Sequence, residues 1–143
     1  MKRYLAIDPG GNTGWAIFDE QGKLQSMGSI KGHDEFLDWL EDIVHGQSFE
    51  IIIERYRVRT GGKHTFTNSF SDVPTLQLIG AIKRIARKNK FKIHEQDPSP
   101  SLVIGLKFLG MGNVYKDKHV PDEVSALAHG TYWLRKNGVQ EST

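Results

Sequence analysis

The feature that most constrains the fold is a short apolar run in the middle of the chain. Residues 50–53 read "EIII", a continuous β-branched run that is typical of a strand buried on both faces. The run follows an amphipathic helix, "HDEFLDWLEDIVHG" at residues 33–46, and it ends in Glu54. A strand buried on both faces needs helices above and below its sheet, so the sequence predicts an α/β fold.

Three strands joined by tight turns are predicted before that helix. They cover residues 3–7, 13–18 and 24–30, and the turns "DPGGN" and "DEQGK" favour a three-stranded antiparallel meander. The later predictions are a polar loop over 59–72, a helix from Pro74 to Lys88, a strand over 91–96, a short helix and basic loop within 98–118, and a helix over 121–136. This order predicts a mixed five-stranded sheet, the meander plus parallel strands, flanked by helices.

Length and composition set the broad class of the protein. The 143 residues suit one domain over 1–138 with a flexible tail over 139–143, and 38% of them are apolar. No apolar stretch approaches the ~20 residues that cross a bilayer, and no signal-peptide pattern opens the chain. The absence of cysteine excludes disulfides, thiolate zinc sites and cysteine nucleophiles. We expect a cytoplasmic protein that does not contact membranes.

The net charge of +2 conceals a strong asymmetry along the chain. Residues 1–50 hold nine acidic and four basic side chains, whereas residues 51–143 hold eight acidic and fifteen basic ones. Two tracts contain no acid at all: "RYRVRTGGKHTF" at 55–66 and "AIKRIARKNKFK" at 81–92. Clustered positive charge indicates a polyanion-binding surface, although a solvated helix face has the same pattern.

Carboxylates fall at the ends of the predicted elements. Asp8 ends the first strand, Glu54 ends the fourth, and Asp122 lies in the first turn of the last helix. If the two strands are parallel neighbours, all three groups reach one edge of the sheet, where Mg²⁺ or Mn²⁺ would find oxygen ligands. Each also has a structural explanation: Asp8 starts a turn, Glu54 pairs with Arg55, and Asp122 offsets the helix dipole.

Several of these segments resemble one protein family. "YLAIDPGGNTGWAIFD", "EIIIERYRVR" and "KDKHVPDEVSALAHGTYWL" are similar to motifs of the RNase H-like superfamily, and more narrowly of the RuvC-type Holliday-junction resolvases, particularly small phage-type members. The stretch "PSPSLVIGLKFLGMGNVYKDK" matches the family pattern ahead of its last helix. The likeness extends over nearly the whole chain.

The resemblance implies a metal-dependent endodeoxyribonuclease, usually a homodimer, that cuts symmetric strands of a four-way DNA junction without a small-molecule cofactor. Carried over by position, Asp8, Glu54 and Asp122 would be metal ligands. His119 would join them as a ligand or would orient the attacking water. The implied mechanism uses two divalent ions, Mg²⁺ with Mn²⁺ as a substitute, bridged by Asp8.

The last helix departs from the family pattern, in which two acids three residues apart are followed at once by Ala-Leu-Ala. Aligning on "ALA" at 126–128 puts Asp122 at the first acid and Ser125 at the second, which loses a ligand. Aligning on His119 and Asp122 keeps the pair but leaves "ALA" three residues late. We prefer the second alignment because it loses no ligand, and Glu123 is the reserve candidate.

Basic residues near these motifs are the candidates for DNA contact. Tyr56 would either stack at an opened junction centre or pack beside its strand. Lys116 or Lys118 would either steady the charge of the transition state or contact phosphates generally. The full predicted DNA-binding set is Arg55, Tyr56, Arg57, Arg59, Lys63, Lys107, Lys116 and Lys118.

Three alternative functions share parts of these motifs. An actin- or hexokinase-like ATPase also uses a turn like that after Asp8, but it needs a second domain that 143 residues do not supply. A YqgF-type RNA-processing nuclease would use the same metal site on another substrate. A catalytically silent adaptor would bind junctions without cutting them.

Overall fold

The computed structural model describes residues 2–56 and 65–140, with only the backbone described over residues 65–72. Nine helices and strands occur in the described part of the chain. They are β1 (Lys2–Asp8), β2 (Asn12–Phe18), β3 (Leu24–Lys31), α1 (His33–Val44), β4 (Ser48–Glu54), α2 (Thr65–Lys88), β5 (Ile93–Gln96), α3 (Pro98–Phe108) and α4 (Asp122–Lys136). No helix in these ranges is long and apolar enough to cross a membrane.

The strands form one mixed sheet in the order β3-β2-β1-β4-β5. Strands β1, β2 and β3 pair antiparallel, because short turns connect them. Strand β4 returns through α1 and pairs parallel to β1, and β5 pairs parallel to β4. The predicted α/β fold, a meander extended by two parallel strands, is therefore confirmed.

Helices cover both faces of the sheet, as the "EIII" run requires. Alternate residues of a strand point to opposite faces, so Leu5 and Ile7 of β1 pack against α1 and α2. Tyr4 and Ala6 face the other way and pack under α4. Residues 51–53 are at most 1% exposed because β4 lies at the centre, between β1 and β5.

Glycines allow α4 to approach the sheet closely. A side chain on Gly130 of α4 would overlap the Phe18 ring and the Ala6 methyl group. A side chain on Gly14 of β2 would overlap the Asp122 carbonyl at the start of the same helix. Both ends of this contact are thus set by backbone-to-sheet packing, which holds the first turn of α4 against β2.

The prediction for residues 65–72 was wrong. They were assigned to a polar loop that ended where Pro74 opened a helix, but α2 already begins at Thr65 and contains Pro74 in its interior. A helix can include proline at the cost of one backbone hydrogen bond, and this polar stretch has no apolar periodicity from which a helix is predicted. Residues 57–64 of the predicted loop lie outside the described residues.

The residues predicted as a tail begin in contact with the domain. Val139 packs beside the core under α4. Gln140 donates its side-chain amide to the Gly22 carbonyl at 2.6 Å. Residues 141–143 lie outside the described part of the chain.

A buried carboxylate on β4 supports the sheet far from the strand ends that carry Asp8 and Glu54. Glu50 is 7% exposed, and its oxygens lie 2.7 Å from Lys2 Nζ and 2.5 Å from His94 Nε2. The His94 ring stacks on Trp133 of α4, with 4.5 Å between the centroids. Burial would raise the pKa of Glu50, but the bonds from Lys2 and His94 outweigh it and lower the pKa.

We expect Glu50→Gln to destabilise the protein by about 1–3 kcal/mol near pH 6, because a buried charge-assisted pair is lost. The lowered pKa means that ionised Glu50 stabilises the fold above the unfolded-state value of 4.5 and ceases to do so as the pH falls through the folded-state pKa. The difference from wild type should therefore shrink below about pH 4.5 in urea unfolding curves. The exposed Glu41→Gln is the control; a Glu50→Gln difference that does not change with pH would contradict the assignment.

Candidate active site

Asp8 and Glu54 meet at one edge of the sheet. Each is the last residue of its strand, and the parallel register pairs Ile7 with Ile53 immediately before them. Strand alternation turns both carboxyl groups toward the face that α4 covers, because Ala6 and Ile52, two residues earlier, also face α4. The expected convergence of these two strand ends is therefore present in the structure.

Helix α4 brings further polar groups to the same edge. Asp122 is its first residue, and its backbone lies against Gly14, the β2 residue that pairs with Asp8. Ser125 and His129 follow Asp122 at three and seven positions, a spacing that places all three on one helix face. The hydroxyl of Ser125 is hydrogen-bonded to Asp8, and His129 faces Glu54.

The two carboxyl groups share one hydrogen bond, in which protonated Asp8 donates to ionised Glu54. Burial, then the hydrogen bond and charge of Glu54, raises the pKa of Asp8 to about 8, although the Ser125 hydroxyl acts in the opposite direction. Burial would also raise the pKa of Glu54, but the contacts with His129 and Asp8 hold it below its usual value. The edge thus holds a proton between two carboxylates that compete for it.

Two residues of this edge were missed by the sequence analysis, His129 and Ser101. His129 is 2% exposed, its Nδ1 lies 2.6 Å from Ser101 Oγ, and its Nε2 lies 3.4 Å from Glu54 Oε2. The seven-residue spacing from Asp122 to His129 is the signal that would have suggested the histidine. Nothing in the sequence pattern indicates Ser101, because it belongs to a different helix.

The residues around Asp122 are close in sequence but do not form a tight cluster. Burial raises the pKa of Asp122, the charge of His119 lowers it, and the charge of Glu123 raises it, so both neighbours act on it electrostatically. His119 is exposed and Glu123 is half-buried. Among the described residues, no three histidine or acidic side chains come close enough together to hold a metal ion. The roles of His119 and Glu123 stay predictions.

The donor set at the sheet edge nevertheless suits a hard divalent cation. Asp8 and Glu54 are in hydrogen-bond contact through a single proton, so a cation that replaced this proton would meet two anionic oxygen ligands. Asp122 is the third carboxylate at this edge, and it affects Asp8 through its charge. These residues fit Mg²⁺ or Mn²⁺, with Asp8 and Glu54 as the inner pair.

The turn that follows Asp8 is held in place by local hydrogen bonds. Thr13 Oγ1 donates to the Gly10 carbonyl at 3.2 Å, and Nε2 of His33 lies 3.0 Å from the same oxygen. A side chain on Gly11 would meet no atom within 4 Å, so the outer surface of the turn is open beside the carboxylates. A phosphate backbone would have free access here.

The predicted DNA-binding residues have different surroundings. Arg55 is exposed but paired, with Nε 3.5 Å from Glu95 and Nη1 3.8 Å from Asp97. Tyr56 packs against the core on the α1 side. The described exposed lysines of the set are Lys107, Lys116 and Lys118, and the predicted positions Arg57, Arg59 and Lys63 lie outside the described residues.

Solved structures of Holliday junction resolvases have a similar fold. RuvC of Thermus thermophilus in complex with a Holliday junction substrate matches with a TM-score of 0.67 and 11% identity, covering 97% of this chain and 98% of that chain. Another structure of RuvC from Thermus thermophilus matches with a TM-score of 0.55 and 15% identity, over 96% of this chain and 97% of that chain.

The yeast mitochondrial resolvase Ydc2 matches with a TM-score of 0.59 and 14% identity, over 96% of this chain and 80% of that chain. At such identities the likeness establishes the fold alone, which is the RNase H-like fold of RuvC. No family model and no curated protein sequence matches this chain.

We expect Asp8→Asn to stabilise the metal-free protein increasingly as the pH rises. The native Asp8 keeps a proton that the unfolded chain releases near pH 3.8, so wild-type stability falls between that value and about pH 8. The amide does not ionise, and the gain should reach about 1–3 kcal/mol near pH 8 in urea unfolding with EDTA. The exposed Asp38→Asn is the control; parallel pH profiles of wild type and Asp8→Asn would contradict the proton sharing.

Proposed function

We propose that this protein is a metal-dependent endonuclease that resolves four-way DNA junctions by paired, symmetric phosphodiester hydrolysis. The observation that carries the proposal is the meeting of Asp8 and Glu54 at neighbouring parallel strand ends, within the fold of RuvC. A buried carboxylate pair is costly to fold, and a divalent cation at the site would offset that cost.

The residues of the edge have separate tasks in this proposal. Asp8 and Glu54 hold the inner side of the metal site, Asp122 adds a third carboxylate, and Ser125 fixes the orientation of Asp8 through its hydroxyl. In a site of this kind the chemistry supplied by one or two Mg²⁺ or Mn²⁺ ions is activation of a water and neutralisation of charge on the departing 3′ oxygen. His119 stands at the open side, where it would orient the water.

The DNA-binding surface would extend from the open turn to the exposed basic loop before α4. Gly10 and Gly11 leave room for a phosphate backbone beside Asp8. Lys116 and Lys118 lie within four to six residues of Asp122 and are exposed, so they can contact phosphates near the site. Such contacts position DNA without reading its sequence.

A homodimer would suit this function, because two sites must cut two strands. Helix α2 carries apolar side chains that this chain leaves uncovered: Val73 is 51% exposed and Leu76 is 38% exposed. They stand one helical turn apart on the outer side of α2, and a second copy of the chain would bury them. The dimer is part of the proposal.

A catalytically silent junction-binding adaptor is the second candidate. It is favoured by one observation, the lack of any three histidine or acidic side chains close enough to hold a metal within residues 2–56 and the described side chains of 73–140. Ser125 also occupies the place beside Asp8 where an acid would have added a ligand. The cleavage experiment separates the two candidates.

We expect the protein to make paired nicks in a labelled synthetic four-way DNA junction with Mg²⁺, and to leave linear DNA duplex and RNA duplex uncut. EDTA should abolish the nicks, and Asp8→Asn should slow them by at least about 100-fold, because the inner ligand pair is lost. Asp38→Asn, a matched change on an exposed face of α1, should cut like wild type.

Other outcomes of the same assay point to other functions. Tight junction binding without cleavage in Mg²⁺ or Mn²⁺ would support the adaptor. Cleavage of RNA but not of the junction would move the protein to the RNA-processing nucleases. Cleavage that survives in EDTA and in Asp8→Asn would refute the metal site itself.

We expect phosphate contacts by Lys116 and Lys118 to be visible in the salt dependence of junction binding. Each contact releases condensed counterions, so Lys116→Ala or Lys118→Ala should reduce the slope of log Kd against log salt by about 1. Lys23→Ala is the matched control, since this exposed lysine lies in the β2–β3 connection at the opposite end of the sheet. Equal slopes for all three variants would remove these two lysines from the interface.

A further inference from the structure

A buried chain of side chains runs under the carboxylate pair and crosses three elements. It links Ser101 of α3, His129 of α4 and Glu54 of β4. Ser101 is fully buried and the side chain of His129 is 3% exposed, so neither contacts bulk water. Neither residue has a place among the ligands proposed above, and their arrangement therefore needs its own explanation.

The hydroxyl of Ser101 is committed as a donor to backbone oxygens. Its Oγ lies 2.6 Å from the Asp97 carbonyl and 3.2 Å from the Pro98 carbonyl, and carbonyls only accept. Because a hydroxyl has one proton, Oγ is left as an acceptor for Nδ1 of His129, 2.6 Å away. The proton of this hydrogen bond consequently belongs to Nδ1, and the ring orientation is fixed by α3.

The opposite ring nitrogen then points at Glu54. Nε2 lies 3.4 Å from Glu54 Oε2, and it makes no hydrogen bond of good geometry to any described residue. A buried ring nitrogen of this kind is uncommon, and it demands a reason. The backbone is fixed here as well, since the Gln96 side chain on the neighbouring strand donates to the His129 carbonyl at 3.0 Å.

We propose that His129 is a positioning residue that holds the Glu54 carboxylate in its ligating orientation, with Ser101 as the anchor of the ring. The inference rests on the proposed function, in which Glu54 is a metal ligand. A donor at Nε2 restrains Oε2 from below, so the other oxygen is presented to the open edge beside Asp8. Carboxylates that ligate metals are commonly held by such a second hydrogen bond.

His129 also compensates for the geometry of α4. Ser125, one turn earlier on the same face, restrains Asp8 through a hydroxyl, and His129 restrains Glu54 through a ring nitrogen. The two carboxylates are thereby fixed by two residues of one helix, whose distance from the sheet is set by Gly14 and Gly130. A flexible Glu54 would otherwise pay conformational entropy on each binding event.

Two substitutions of His129 separate a positioning role from a structural one. Gln places a side-chain amide near the site of Nε2, so His129→Gln retains a donor toward Glu54. Asn places its amide near the site of Nδ1, so His129→Asn retains the partner of Ser101 but does not reach Glu54. Both are polar and smaller than histidine, and urea unfolding of each gives its folding cost independently.

The measurement is the Kd of Mn²⁺ alone, from the electron paramagnetic resonance signal of the free ion. His129→Asn should weaken Mn²⁺ binding by about 10–100-fold, and His129→Gln by much less. In the junction-cutting assay His129→Asn should lower kcat and leave KM for the junction unchanged, because a buried ring does not touch DNA. Ser101→Ala, which removes only the anchor, should weaken Mn²⁺ in the same direction and to a smaller extent.

Several results would overturn the inference. Mn²⁺ binding that is unchanged in His129→Asn, or weakened equally in Asn and Gln, would make the ring a structural filler. A strong hyperfine coupling of bound Mn²⁺ to an imidazole nitrogen that His129→Gln abolishes would make His129 a ligand instead. Failure of wild type to bind Mn²⁺ at all would refute the proposed function together with this inference, so the two failures are distinguishable.

Discussion

The parallel pairing of β1 with β4 is the constraint on which the rest of the structure depends. It places Asp8 and Glu54 side by side at one edge, in a partly buried setting where two negative charges repel each other. The protein without metal resolves this repulsion by keeping a proton on Asp8. The site is therefore a strained part of an otherwise well-packed sheet, which is the usual relation between a binding site and its scaffold.

Helix α4 completes the edge, and its closeness to the sheet is what allows this. Gly14 and Gly130 remove the side chains that would hold it away, so Asp122, Ser125 and His129 reach the two carboxylates from one helix face. Farther along the sheet, the same helix stacks Trp133 on His94, which pairs with the buried Glu50. One rigid element thus fixes both the site and the support beneath it.

The strands, the helix α1 and the strand-end carboxylates could be predicted because each depends on local sequence. Tight turns specify the meander, and the run at 51–53 specifies a strand with two buried faces. The start of α2 could not be predicted, because residues 65–72 are polar and have no periodicity. The pairing of Arg55 with Glu95 and Asp97 was also missed, since it joins side chains some forty residues apart.

The sequence by itself determined the order of elements and the three carboxylates that end or begin them, because strand alternation and turn chemistry are local properties. Only the tertiary structure decided how these groups are held: the proton between Asp8 and Glu54, the hydroxyl of Ser125, and the buried ring of His129 with its anchor on α3. Hydrogen bonds between side chains on different elements depend on distances of a few ångströms, and these distances follow from how closely the helices pack on the sheet rather than from any spacing along the chain.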